Sequence, residues 1–353
     1  MSNPLTEVGV LLDAVEKYIR RYVKMSDDEA CTAAAWALHT WVFRQSTVTP
    51  YLAVTSPIRR CGKSNLLFCL ANITNEGEVL FDPTASSLYR IIEASENGPS
   101  LMWDELDFTK PSHQIIAILN SGYKKGGTVP RTEMVGGIRV IKRFSTFCPK
   151  AFGAIGQVLP PTQIDRSIQI RLTRALPSEQ GALKEYDEEI AKDEAAPIRL
   201  AMEAFSEFWE RPKVRPMRPL TLNARQKELW LPLLEIGSTA GGDWFKRLSD
   251  AAKHICDESN RSQFTDDTVD LLSDIHSVLD GWGKDKIFSK SMLTELANLE
   301  DGVYSGHATN TPRLLALFLS ANFGIHPRLV RIGQNTARGY YAADFKDAFA
   351  RYL

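Results

Sequence analysis

The nine residues Ser56-Pro57-Ile58-Arg59-Arg60-Cys61-Gly62-Lys63-Ser64 follow the apolar run YLAV and lead directly into the helical stretch SNLLFCLANI. A G-x-x-x-x-G-K-[ST] segment between a strand and a helix has a physical purpose. Successive backbone N–H groups and a helix N-terminus converge on phosphates, the Lys neutralises them, and the Ser hydroxyl reaches Mg²⁺. Gly62, Lys63 and Ser64 meet this pattern, whereas Pro57 replaces the first glycine. Proline removes one N–H and forbids a positive φ, so the start of the loop must differ from the commonest form. The donors nearest the phosphates come later, which makes the loss tolerable. The expected contacts to ATP are Arg60, Cys61, Gly62, Lys63, Ser64 and Asn65, with Ser64 also on Mg²⁺.

A strand–loop–helix of this kind requires an α/β fold, and the next residues supply one. YLAV, VLF, SLMW, AFGAI and SIQIRL are five short apolar runs separated by helical stretches, predicting a mostly parallel five-stranded sheet covered on both faces. The run Ser100-Leu101-Met102-Trp103 ends in Asp104-Glu105. At a strand's carboxyl end Asp104 would hold the metal through water, and Glu105 would polarise an attacking water as general base. That pair favours a hydrolase over a small-molecule kinase. It also places the chain with the additional-strand ATPases, in which AFGAI would lie between YLAV and SLMW. Gln157 follows AFGAI and is the candidate to orient the water; a solvent-facing loop glutamine is the alternative.

Arg166, in PPTQIDRS before the last run, is the candidate to complete a neighbouring subunit's site in trans; Arg171 and Arg174 are weaker candidates. Its other reading is a salt bridge to Asp165 or a strand-end cap. Arg225 begins the helix NARQKELW and could reach back to the phosphates, or simply be an exposed helix arginine.

Four segments are expected: a helical lead at 1–48, an ATPase core at 49–178, a helical lid at 179–281 and a winged-helix-like module at 282–353. Within the core, GGTVPRTEMVGGIRVIKRF reads as an inserted β-hairpin carrying Arg131, Arg139, Lys142 and Arg143. It could grip a nucleic-acid backbone or contact another subunit. The final segment reads as a helix pair, the second with a Thr311-Pro312 start, and a two-stranded wing. Arg313, Arg328, Arg331 and Arg338 would meet DNA there, unless the module serves protein contact.

Charge needs to be read locally. The 353 residues carry a net charge of -1, which excludes a polybasic coat protein. Residues 282–353 nevertheless hold nine Lys and Arg against six Asp and Glu, a balance of +3. No apolar run approaches the ~20 residues of a membrane span. The N-terminus lacks a signal-peptide layout, and five scattered cysteines suit a reducing compartment, so a soluble cytoplasmic chain is expected.

The order PYLAVTSP–CGKSNLL, DPTASSLYRII, LMWDELD, ILNSGYKKGGTVPR, FCPKAFGAIG and DRSIQIRL resembles a domain-of-unknown-function family of P-loop ATPases. That family occurs on phage, plasmid and integrated-element replication proteins. NARQKELWLPLLEIGSTAGGDW and the closing segment from TPRLLALF resemble its distal part, so the likeness spans most of the chain. Related AAA+ and superfamily 3 helicases are hexamers that draw nucleic acid through a channel. The resemblance therefore implies a ring-forming homo-oligomeric DNA motor using ATP and Mg²⁺, compatible with a primase or other replication partner. No primase motif is visible. The competing readings are an ATP-controlled regulatory switch and a prophage defence protein built on the same scaffold.

Overall fold

In the computed structural model, which describes residues 8–56, 58–105, 111–155, 159–219, 221–263, 267–299 and 311–353, the apolar runs become strands. These are β1 (Tyr51–Ser56), β2 (Gly77–Phe81), β3 (Ser100–Asp104), the hairpin pair β4 (Thr128–Val135) and β5 (Ile138–Ser145), β6 (Lys150–Ile155) and β7 (Ser167–Arg171). Five of them form one all-parallel sheet in the order β2-β3-β6-β1-β7. The strand AFGAI thus lies between YLAV and SLMW, as expected.

Among the described residues, ten α-helices accompany these strands: α1 (Val8–Tyr22), α2 (Asp27–Val42), α3 (Lys63–Ile73), α4 (Ala85–Ala94), α5 (His113–Gly122), the short α6 (Pro161–Ile164) and α7 (Pro177–Gln180), α8 (Glu188–Phe208), α9 (Ala224–Ala240) and α10 (Trp244–Gln263). Strand side chains alternate between faces, so each strand feeds two cores. Leu52, Val54, Met102, Ala151, Ile168 and Ile170 pack with α1, α2, α3, α8 and α9. Tyr51, Ala53, Leu101, Trp103, Phe152 and Ala154 pack with α4, α5 and the base of the hairpin.

The amino-terminal helices belong to the first of these cores. The alanine-rich α2 is buried along almost its whole length, because small side chains let it approach closely on all sides. Its Trp36 donates to the Pro50 carbonyl at 2.8 Å and its Trp41 to that of Ile73 at 2.9 Å. Ser26 and Glu29 close its first turn in a reciprocal capping box. Glu29 also accepts the Arg171 backbone N–H on edge strand β7 at 2.9 Å.

The chain divides into two units, Met1–Asp257 and Glu258–Leu353. The expected lead and core, and the expected lid as far as Asp257, fall in one unit, in which α1, α2, α8 and α9 all cover the same sheet face. The second unit holds α11 (Asp267–Trp282), β8 (Lys286–Phe288), α12 (Ser289–Ala297), α13 (Pro312–Phe323), β9 (Arg328–Ile332), β10 (Asn335–Tyr341) and α14 (Lys346–Tyr352). It begins earlier than the expected boundary at 282. The α11 residues Leu271, Leu272, Ile275 and Leu279 share a core with Ile287, Met292, Leu315, Leu319, Tyr340 and Phe345. Its sheet has three strands in the order β8-β10-β9, one more than the expected wing. Among the described residues no helix is long and apolar enough to cross a membrane. All five cysteines are free and buried.

Two buried ionisable groups lend themselves to measurement. Arg211, in the proline-punctuated linker, donates to Glu235 at 2.8 Å, and Glu235 is fully buried in α9 with its second oxygen unpartnered. Arg211→Ala leaves that carboxylate uncompensated and is expected to cost about 3 kcal/mol in urea unfolding, much of it recovered by adding Glu235→Leu. His39 is buried with Nε2 3.1 Å from Thr49 Oγ1, and burial pushes its imidazole down from 6.5 to about 3. Between these values the unfolded chain binds a proton that the folded chain refuses. Stability therefore falls as pH drops from 6.5 towards 3, by up to about 1.4 kcal/mol per pH unit. His39→Gln is expected to lack this component when unfolding is compared across pH.

Candidate active site

The loop after β1 leads into α3 through two left-handed residues, Arg60 at φ 65° and Gly62 at φ 89°. Gly62 is the N-cap of α3, and no side chain caps that helix. The amides of its first turn, at Lys63, Ser64 and Asn65, are thus left for an external acceptor. Glycine is needed at position 62 both for its φ and because a Cβ there would stand 3.2 Å from Val23 Cγ1. Lys63 Nζ donates to Ser56 Oγ at 2.8 Å, and Ser56 donates to the Ile58 carbonyl at 2.7 Å. Cys61 is buried, its thiol 3.3 Å from that carbonyl, which ties the loop together from within. Lys63, Ser64 and Asn65 are only partly covered, and Arg60 is exposed.

Asp104 stands on the same edge of the sheet. Trp103 pairs with Phe152 and Val54 with Gly153, so Asp104 is level with the residue beside β1. Its side chain is buried at 4% exposure, and Oδ1 accepts the Glu105 backbone N–H at 2.9 Å. Gly153 makes room for it: a Cβ there would lie 2.8 Å from Asp104 Oδ1 and 2.9 Å from Leu67 Cδ1. Glu105 is exposed in a left-handed conformation, φ 58°, which is uncommon outside glycine and turns the chain sharply at the strand end. Gln157 lies outside the described residues.

Arg166 and Arg225 meet at the opposite edge. Arg166 immediately precedes Ser167, which pairs with Tyr51 at the start of β1. Its guanidinium lies 5.1 Å from the Tyr123 ring centre and donates to the Thr162 carbonyl. The alternative Arg166–Asp165 pair does not form; Asp165 is 3.4 Å from Arg225 instead. Arg225 also contacts Glu228 at 2.5 Å and Tyr123 Oη at 2.8 Å, and stacks on the same ring. Tyrosine and carboxylate partners thus hold Arg225 at the strand-start edge of the sheet, opposite the edge that carries Lys63. Arg166 likewise does not approach Lys63 of its own chain. Arg171 bonds Gln169 within β7 at 2.9 Å.

The hairpin residues split by face. Arg131 lies over Tyr89 at 5.4 Å and Lys142 pairs with Glu93 at 2.6 Å, while Arg90 reaches Glu133 at 2.8 Å. Together with the Tyr89–Phe144 ring contact at 4.4 Å, these dock the hairpin on α4. Arg131 and Lys142 are therefore largely committed to docking. Arg139 and Arg143 alternate onto the other face with Met134 and Ile141, and are exposed. In the second unit Arg328 pairs with Asp344 and stacks on Tyr341 at 4.5 Å, and Arg331 bonds the Gly333 carbonyl at 3.3 Å. Arg313 and Arg338 are exposed.

Residues 171–352 match a family described as a protein of unknown function (DUF3631). The chain belongs to that family. The DUF3631 match covers just over half of the chain and starts at the last residue of β7, so the loop and Asp104 lie outside it. Two solved structures are distantly similar, an A-form apo structure and an apo structure of the NrS-1 C-terminal region (305–718). They show 11% and 12% identity, TM-scores of 0.45 and 0.44, and cover 93% of this chain and 74% and 75% of theirs. No curated protein matches.

Ser56, Gly153 and Tyr123 were missed as site residues from sequence. Only Gly153 carried a signal, a glycine inside an otherwise apolar strand run, which marks a close approach. Gly153→Ala is expected to cost about 1–3 kcal/mol by crowding Asp104 and Leu67. A double-variant cycle with Asp104→Ala should show part of that cost relieved, whereas strictly additive losses would mean that the two do not touch.

Proposed function

We propose that this chain hydrolyses ATP and works as a ring-forming motor on DNA. The observation carrying the proposal is the uncapped, glycine-started N-terminus of α3 at the carboxyl end of β1, with Lys63 beside it and Asp104-Glu105 ending β3 on the same edge. The helix amides and Lys63 suit the β- and γ-phosphates. The intervening β6 matches the additional-strand sheet order, which supports reading the loop as a P-loop.

Among the described residues no trio of His, Cys, Asp and Glu is gathered to cage a metal. That fits Mg²⁺, which takes few protein ligands and completes its shell with phosphate oxygens and water. Ser64 and the buried carboxylate of Asp104 would hold it, and the ion would neutralise charge on the phosphates. Glu105, exposed at the strand end, would take the proton of the water that attacks the γ-phosphorus, giving ADP and phosphate. Arg166, at the far edge, would serve a neighbour's nucleotide, which requires an oligomer; a hexamer is the arrangement proposed. The exposed Arg139 and Arg143, with the arginines of a winged-helix-like second unit, would bear on the DNA backbone.

ATP hydrolysis measured with and without single-stranded DNA tests this reading. Wild type is expected to turn over ATP faster with DNA. Lys63→Ala is expected to lose nucleotide binding, and Glu105→Gln to bind ATP while losing at least about 10²-fold in turnover. Wild-type turnover by Glu105→Gln would remove the base assignment, and a monomer indifferent to DNA would remove the motor.

A further inference from the structure

The second unit contains a cavity of about 620 Å³, lined mainly by α13 and His326-Pro327 and reached by Ser289 at the start of α12 and Arg338 on β10. β8 and β10 pair with Phe288 opposite Gly339, so Arg338 stands level with Ser289, the first residue of α12. Gly339 permits this approach, since a Cβ there would lie 2.3 Å from the Ile287 carbonyl oxygen. α12 has Phe288 at its N-cap and no side chain closing its first amides. Ser289 is only 3% exposed, yet its hydroxyl has no hydrogen-bond partner. A buried donor left unpaired is costly, and an acceptor that reached it would relieve that cost.

Ser289 lines the cavity together with Arg313, His326 and Arg338, and among the described residues no acidic side chain does. Leu317, 59% exposed, and Pro327 give it an apolar wall. An open helix N-terminus, a buried unpartnered hydroxyl and two guanidinium groups share one complementary chemistry, that of a phosphate. The apolar wall suits the sugar or base attached to it. A duplex backbone is gripped along a surface and needs no recess, whereas a concave site of this size suits a unit splayed out of a strand.

We propose that this cavity receives one nucleotide of single-stranded DNA, its phosphate held by the start of α12, Ser289, Arg313 and Arg338. The inference rests on the reading that the chain acts on DNA, and adds which form of DNA the second unit takes and where.

The test is fluorescence anisotropy of the full chain with a labelled oligothymidylate and with a duplex of equal length, over a range of salt. Tighter binding to the single strand is expected. Arg338→Gln is expected to weaken it about tenfold and to lower the salt slope by about one. Ser289→Ala is expected to weaken it about fivefold, the equivalent of one hydrogen bond, without lowering the melting temperature, which separates lost binding from lost fold. Thymidine monophosphate should compete and inorganic phosphate should compete far less; equal competition would make this a free-anion site and overturn the assignment. Single-strand binding unchanged in both variants, or equal binding of duplex, overturns the cavity but leaves the motor reading standing. A wild-type chain that binds no DNA removes both.

Discussion

A parallel sheet must be covered on both faces, and the rest of the first unit depends on that constraint. The strands cannot be joined by tight turns, so each crossover carries a helix, and both faces fill with apolar side chains. One face takes α4, α5 and the foot of the hairpin. The other recruits helices from both ends of the unit, α1 and α2 before the sheet and α8 and α9 after it. The same parallel run puts all strand ends of one polarity on one edge. Lys63, Asp104 and Glu105 share that edge, while Arg166 and Arg225 share the other.

What the sequence revealed was mostly local. The Gly62-Lys63-Ser64 loop, the five apolar runs, the reciprocal cap at Ser26 and Glu29, and the glycine turn at 136–137 are short-range patterns whose physics needs only a few neighbours. The position of AFGAI in the sheet was legible because the Asp-Glu pair at the end of SLMW pointed to a known strand order. The non-local features were hidden. Nothing near Arg225 in the chain announces Tyr123 or Asp165, which reach it only through folding. The divide near Asp257 was hidden for a related reason. The apolar stripe of α11 suits either unit, and only its partners Ile287, Leu315 and Tyr340 decide between them.

Charge behaves the same way. Counted along the hairpin, Arg131 and Lys142 look free; folded, Tyr89 and Glu93 engage them, and only Arg139 and Arg143 are left on the open face. The number of basic residues in a segment is therefore a poor measure of how much cationic surface it offers.

Val23, just beyond α1, packs against the spot where a side chain at Gly62 would be. The loop is thus shaped from behind by the amino-terminal helices as well as from within. If a ligand at the loop and the seating of α1 and α2 favour one another, reciprocity makes each strengthen the other by the same free energy. The amino-terminal segment is in that sense part of the foundation on which the loop is built.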